Sequence, residues 1–527
     1  MSTRHAHLLL ALLSACAAPP SPDGEHDPAV VPGGKADGSD YESCELDAVV
    51  ALLNEGASAA DLQASGLHAR AANNLTAHRD GADARFGTAD DDLFDDIEEV
   101  DAVSWVGPVA LRQLVALVEP CEDLGQIVPD VLHTSLEVDV SSLEAAAGIL
   151  VDAPAVDWLV FDATALDVRA VRVGMREATF SHEDGWLFVE LPAGVTGETW
   201  VTVEYGFAIQ EEANGLLPNG STLVWPYFCG NLFPCNPDPS EGMTYTLDVR
   251  GASGEVVATS ELENEGPAYM IGWAAGDYRE RRLGRTPAGT DISVWYFAAQ
   301  EEEALRGTEH LVDAFDFLER SYGPYFFGAS AGSVQADWGP SGFGGMEHHP
   351  FWHVGTASMD DFETHAHEAA HGWYGNGVRI ACWEDFVLSE GVTTYLAARA
   401  GEAAAGEAEA AAVWEEYREE LDATLADPDV PHIAWPEGCG EVDLIEDAYW
   451  TSIPYMKGAL FFRALERRIG RPALDTALRD FYLARRGTAA RFADLLDAIA
   501  SGSSYDPLPC AEAWLQQDAL PSSEACE

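Results

Sequence analysis

The sequence predicts an α+β chain. An antiparallel β domain is followed by a mixed α+β domain with a helical tail and preceded by a small helical module. Three observations carry this prediction. Residues 129–262 hold stretches that alternate apolar and polar side chains with period two. Residues 263–527 turn mixed and then helical in their spacing. Residues 41–124 show apolar stripes at helical spacing. At 527 residues, 47 % apolar and 22 % charged, the chain has a globular composition and room for several domains.

In chain order, residues 1–15 read as an export signal. Arg4 gives a positive start, and Leu8 to Leu13 form an apolar core too short to span a bilayer. The run ends in Leu13-Ser14-Ala15-Cys16, which resembles the bacterial lipobox, with Cys16 as the lipidated residue. A secretory signal cut after Ala15 or Ala18 is the alternative. The lipobox reading implies an exported chain, anchored by lipid to a bacterial membrane and facing the periplasm or the cell surface. Residues 16–40, rich in Pro, Gly and Asp, read as a flexible tether.

Within 41–124, Leu46, Val49, Val50 and Leu53 start one stripe, and Leu111, Leu114, Val115 and Val118 form another. Asp80 to Asp92 is an Asp/Gly loop that can offer oxygen ligands to Ca²⁺, although it lacks EF-hand spacing and also reads as a solvated acidic loop. Ala102 to Leu111 resembles the turn of a helix-hairpin-helix unit. In the β domain, Trp200–Tyr205 and Thr244–Val249 are the clearest strands. Beyond it, Ile292–Phe297 reads as a strand, 308–321 and 360–376 as helices, and the Ala/Glu-rich run 396–424 as one strong helix. Residues 456–527 hold several helix-length segments.

Charge excludes one class of partner. With 90 acidic and 28 basic residues the net charge is −62, so the chain cannot hold nucleic acid by neutralising phosphates. The only lysines are Lys35 and Lys457. Of nine cysteines, setting Cys16 aside leaves eight, an even number that suggests disulfides in an exported chain. Nearest-neighbour pairing gives Cys44–Cys121, Cys229–Cys235, Cys382–Cys439 and Cys510–Cys526.

The chemistry-bearing motif is His367-Glu368-Ala369-Ala370-His371. On a helix the two histidines project from one face and can reach one metal ion, with Glu368 turned toward the metal's water. Glu390 follows, with 18 residues between it and His371, in Trp383-Glu-Asp-Phe-Val-Leu-Ser-Glu390-Gly391. A second helix packed on the first would bring Glu390 in as third ligand, completing the His₂Glu set of catalytic zinc. Two buried histidines could instead hydrogen-bond within a core, but two glutamates beside them would then be costly to bury. His365 points elsewhere on the helix and reads as non-ligating.

His367 to Val378, followed by Trp383 to Gly391, resembles the aminopeptidase N family of gluzincin metallopeptidases, to which leukotriene hydrolase belongs. Gly344-Gly345-Met346-Glu347-His348 lies where the family has its GxMEN motif. Thr451 to Gly458 lies where it has its catalytic tyrosine, and Phe233-Pro234-Cys235 matches an element of its β domain. The resemblance covers about residues 129–500. It implies a thermolysin-like catalytic domain from 263 onward and one Zn²⁺ held by His367, His371 and Glu390. It further implies Glu368 as general base, Tyr455 as oxyanion donor, Glu347 as anchor of the substrate's α-ammonium, and Gly344, Gly345 and Met346 as the strand against which a peptide lies. The family's asparagine is His348 here. The Gln or Glu that members add from the β domain is not found at Leu223–Tyr227. The expectation is therefore a zinc aminopeptidase acting on peptides. Its alternatives are a zinc endopeptidase or hydrolase of another small substrate, or a peptide-binding surface lipoprotein without activity.

Overall fold

The computed structural model describes residues 49–117, with gaps at 51, 55, 65–66, 84, 89–90, 95–96, 104–105, 107 and 116. It further describes 126–521, with gaps at 211–213, 340–342, 429 and 441, and Cys526. The signal, the tether, Cys16 and the Cys44–Cys121 pair lie outside the described residues. The chain divides into two compact units at Leu124/Gly125.

In the smaller unit, helices Ala59–Ala64, Ala69–Arg79, Ile97–Ala102 and Pro108–Val115 enclose Val49, Leu53, Leu62, Leu75, Phe94, Val100 and Leu114. Arg79 is buried and donates to the carbonyls of Leu53 and Ala57. In the Asp/Gly loop, Asp91 accepts from the backbone N–H groups of Gly87 and Thr88, and Asp83 from that of Arg85. These two carboxylates thus hydrogen-bond the loop's own backbone.

The larger unit begins with two sheets. Trp200–Tyr205 shows why they pack: Val201, Val203 and Tyr205 are buried while Trp200 lies exposed on the other face. The seven-stranded sheet runs, edge to edge, Glu261–Gly266, Met243–Arg250, Asp130–Asp139, Glu144–Ala153, Gly197–Gly206, Asp167–Val173 and Arg176–Glu177. A four-stranded sheet, Gln126–Ile127, Trp158–Asp162, Trp186–Glu190 and Phe180–Glu183, accompanies it. Pairing is mostly antiparallel, but Met243–Arg250 runs parallel to Asp130–Asp139, and Gln126–Ile127 parallel to Trp158–Asp162. The long excursion between Asp139 and Met243 supplies the crossover that a parallel pair needs, which a meander lacks. Strand Ala274–Gly276 pairs with Glu255–Val257, so sheet pairing crosses the expected boundary at 262/263.

A five-stranded sheet follows, ordered Tyr278–Arg285, Asp291–Phe297, Ser330–Ala336, Phe351–Gly355 and Gly345–Met346. Helices Leu311–Tyr322 and Phe362–Ala370 adjoin it, and one hydrophobic cluster runs from Val131 to Cys526 through both parts of the unit. The helix expected over 396–424 is two helices, Phe386–Ala405 and Glu407–Thr424. Gly406, at φ 98°, takes a conformation open to glycine and ends the first of them. Helices Gly458–Ile469, Arg471–Arg485, Phe492–Ser503 and Leu508–Leu515 form the tail. Disulfides join Cys229–Cys235, Cys382–Cys439 and Cys510–Cys526, as nearest-neighbour pairing expects. Among the described residues no helix is long and apolar enough to cross a membrane.

Candidate metallopeptidase site

The histidines stand on helix Phe362–Ala370 and its C-terminal turn. Asp361 caps the helix, accepting from the N–H groups of Glu363 and Thr364. His367 Nε2 lies 3.2 Å from His371 Nε2 and 3.2 Å from Glu390 Oε2, and His371 Nε2 lies 3.5 Å from that oxygen. Glu390 comes from helix Phe386–Ala405, which packs directly on the histidine helix. His365 is turned away, with Ser333 Oγ 2.8 Å from Nδ1 and the Met359 carbonyl 3.1 Å from Nε2.

The surroundings aim these side chains. His371 Nδ1 donates to the Tyr374 carbonyl at 3.1 Å, so Nε2 is the nitrogen that faces His367 and Glu390. Thr394 Oγ1 sits 3.4 Å from His367 Nδ1, and Ser389 donates to Glu390 Oε1 at 3.1 Å. The helix that carries Glu390 meets helix Gly458–Ile469 backbone to backbone. A Cβ on Gly391 would fall 2.9 Å from Gly458 Cα, and one on Gly458 would fall 2.6 Å from Gly391 Cα. Helix Gly458–Ile469 directly follows the π-type turn Ile453–Lys457 that holds Tyr455, so this contact ties ligand and tyrosine together. The Tyr455 ring stacks on His367 at 5.9 Å and 24° and meets Phe386 edge-on at 5.9 Å. Burial, then the carboxylates of Glu390, Glu347 and Glu368, hold its hydroxyl pKa well above the usual value, so the group is a proton-bearing donor.

Glu368 and Glu347 face the same space; together with His371 they form a second group with ligand atoms within 4.8 Å of one another. Glu368 is buried, and its Oε2 has no hydrogen-bond partner among the described residues. Burial raises its pKa well above the ordinary value; His371 opposes this, and Glu347 adds to it. Gly345 packs so tightly on this side chain that a Cβ there would fall 2.2 Å from Glu368 Oε1. The Gly344–Glu347 segment thus closes over the glutamate, with Met346 buried behind it.

The residues fit a divalent cation. Two imidazole nitrogens and a carboxylate oxygen converge, and a buried orphaned carboxylate oxygen lies beside them. The charge balance agrees. Burial would hold His371 low, but Glu390, Glu347 and Glu368 lift it to about 10. Burial would raise Glu390, but His371 and His367 hold it at about 2. Three carboxylates are thus arranged around a point where positive charge is favourable.

Sequence reasoning missed several supporting residues. Asn376 donates to the Glu347 carbonyl at 2.6 Å. Tyr269 hydrogen-bonds Asn376 Oδ1 at 3.3 Å and lies against the Glu347 carboxylate. His349 Nε2 lies 2.8 Å from the Glu368 carbonyl, and Tyr325 Oη lies 2.8 Å from its Nδ1. His348 reaches the Val224 carbonyl at 2.7 Å and so ties the Glu347 segment to the β domain. Burial lowers His348 to about 4 and His349 to about 3, so both stay neutral. The Gly375-Asn376-Gly377 run was a local signal for Asn376; Tyr269 had none.

Comparison with known proteins agrees with this geometry. Residues 356–514 match the peptidase family M1 domain. Leucine aminopeptidase 2 of Phaeosphaeria nodorum is 27 % identical over 423 residues, covering 66 % of this chain and 64 % of its own length. Leukotriene A-4 hydrolase of Xenopus laevis is 26 % identical over 411 residues, covering 67 % and 64 %. The chain therefore spans just under two thirds of the length of these curated relatives. Among solved structures, leukotriene A4 hydrolase of yeast with bestatin superposes with a TM-score of 0.63 at 22 % identity, covering 74 % of this chain and 68 % of its own. An M1 zinc metallopeptidase of Deinococcus radiodurans gives 0.62 at 19 %, covering 76 % and 96 %. The family implies zinc, which the three convergent ligands suit. By motif, fold and sequence, the chain resembles the aminopeptidase N family of zinc metallopeptidases, and residues 356–514 match the peptidase family M1 domain.

Proposed function

We propose that the chain is a zinc-dependent aminopeptidase that removes the N-terminal residue from peptides. The observation that carries this reading is the convergence of His367, His371 and Glu390 beside the orphaned buried carboxylate of Glu368, with Glu347 across from them. One zinc ion per chain, bound by that trio, would supply Lewis acidity and a water of lowered pKa. Glu368 takes the proton from the attacking water and passes it to the leaving amine. Tyr455 donates its hydroxyl proton in a hydrogen bond to the oxyanion developing on the scissile carbonyl. Glu347 pairs with the free α-ammonium of the substrate, and Gly344, Gly345 and Met346 offer the peptide an edge to lie along.

The test pairs fluorogenic aminoacyl substrates with their acetylated counterparts, using Glu368→Gln as the blank. Cleavage of the free set alone is expected. Equal cleavage of both sets would replace this reading with an endopeptidase. We further infer export and lipid anchoring through Cys16, on the support of Leu13-Ser14-Ala15-Cys16. A membrane-fraction signal unchanged by Cys16→Ser would overturn it.

A further inference from the structure

The proposed reaction makes no use of a cavity further along the two helices that carry its machinery. Helix Phe386–Ala405 brings Glu390, and helix Gly458–Ile469 follows the turn of Tyr455. Beyond the Gly391–Gly458 contact the two run side by side. The Tyr395 and Phe462 rings lie 5.8 Å apart, and Arg399 Nη1 lies 3.4 Å from Glu466 Oε2. At Arg399 and Glu466, about 12 Å along each helix from the glycines, a cavity of about 230 Å³ is lined by both helices, by helix Glu407–Thr424 and by Arg471.

In a chain of 90 acidic and 28 basic residues, this cavity gathers Arg399, Arg463, Arg467 and Arg471 against three glutamates. Two of the arginines engage two of the glutamates. Arg471 sets its fork on Glu402 at 2.8 and 3.0 Å, and its Nε lies 3.0 Å from Glu466 Oε1. The buried Arg399 donates to Asp475 at 3.1 Å and to Tyr395 Oη at 2.9 Å. Its Nε has no hydrogen-bond partner among the described residues, with Glu402 Oε2 standing 3.6 Å off. The third glutamate, Glu407, is exposed. Arg463 and Arg467 are left over: among the described residues neither forms an ion pair or donates a hydrogen bond. They stand four residues apart on one helix, a spacing at which like charges repel. The Trp414 ring holds the Arg463 guanidinium at 4.4 Å, so that group is fixed in place without a carboxylate. Burial, then Arg467 and Arg418, push the Arg463 pKa below its ordinary value, as befits a cation short of counter-charge.

We propose that this cavity binds a small multivalent oxyanion of the phosphate type, held by Arg463 and Arg467, with Arg399 and Arg471 lining the same space. Its oxygens accept from the two guanidinium groups that no carboxylate engages, and its charge relieves their mutual repulsion. Glu402 and Glu466 keep their own arginines, so the anion displaces neither. The site stands apart from the proposed reaction and does not depend on it.

The experiment titrates the full zinc-loaded chain with inorganic phosphate and with succinate by calorimetry, at constant ionic strength in chloride. Arg463→Gln and Arg467→Gln are run beside the parent, and Arg281→Gln removes the same charge from an exposed strand elsewhere. The parent is expected to bind phosphate saturably with a Kd below about 1 mM. Arg463→Gln and Arg467→Gln should each weaken that binding about tenfold or more, and Arg281→Gln should leave it unchanged. Without ligand, Arg467→Gln should melt no lower than the parent, since it removes a repelled charge; loss of binding there is then not loss of fold. No saturable binding up to about 10 mM phosphate would overturn the site. So would binding untouched by both cavity variants, the result expected if phosphate sat on the zinc, or a loss as large in Arg281→Gln, which would mark a general charge effect. Succinate binding more tightly than phosphate would overturn the phosphate class.

Discussion

Replacing Gly345 by alanine should disable the base without unfolding the protein. A Cβ at that position would sit 2.2 Å from Glu368 Oε1 and 2.5 Å from its Cδ and Cγ, where ordinary contact is 3.4–4 Å. The carboxylate must therefore withdraw by about 1 Å, a displacement that costs ~10²-fold when it moves a catalytic group off its line of attack. The colliding atoms are the far end of a flexible side chain, so the loss in unfolding free energy should not exceed about 1–3 kcal/mol. The assay is kcat and KM on a fluorogenic aminoacyl substrate, with thermal denaturation alongside. The expected result is a fall of ~10² in kcat with KM and melting temperature little changed. A double variant with Glu368→Gln isolates the cause: if the methyl acts through the glutamate, Gly345→Ala adds nothing in that background. A kcat within threefold of the parent, or a full loss repeated on top of Glu368→Gln, would refute the reasoning.

Other perturbations follow from the same geometry. Tyr455→Phe keeps the ring on His367 and removes only the donor, so kcat should fall by ~10²–10³ with KM and fold retained. Chelation should abolish hydrolysis, and zinc should restore it; the melting temperature should fall with removal and rise with free zinc, read by thermal shift. Glu363 is a half-buried carboxyl that accepts from Tyr417 and whose pKa desolvation, then Asp361, lifts to about 8. Because the folded value lies above the unfolded one, its contribution is full below about pH 4.5 and is lost as pH rises through about 8, by at most ~5 kcal/mol before solvent screening. Glu363→Gln should flatten that decline in urea unfolding measured at pH ~5 and ~9; an unchanged slope would show that another group sets it.

The site was more legible than the frame that holds it. His367 and His371 announce themselves because four residues of helix place them on one face, and Glu390 because a second helix at that distance is a local device. Cysteine pairs close in sequence were legible for the same reason. Gly406 escaped because the Ala/Glu composition around it favours helix on both sides, and only the backbone turn at that glycine separates the two. The parallel pairing of Met243–Arg250 with Asp130–Asp139 escaped because period-two alternation reports which face is buried, not the direction of the neighbour. Tyr269 escaped for a third reason. It reaches the site from a distant stretch of chain, and its role is visible only once the β-domain segments and the Gly344–Glu347 loop lie together.

The contact between Gly391 and Gly458 also makes two parts of the site depend on one another. With no side chain between them at this point, the two helices sit as near as their backbones allow. The Gly391–Gly458 approach therefore couples the helix that carries Glu390 to the turn that carries Tyr455. The facing Gly344–Glu347 segment is held separately, by the hydrogen bond from the adjoining His348 to the Val224 carbonyl of the β domain. A substitution that loosens either tie therefore shifts one side of the site without the other.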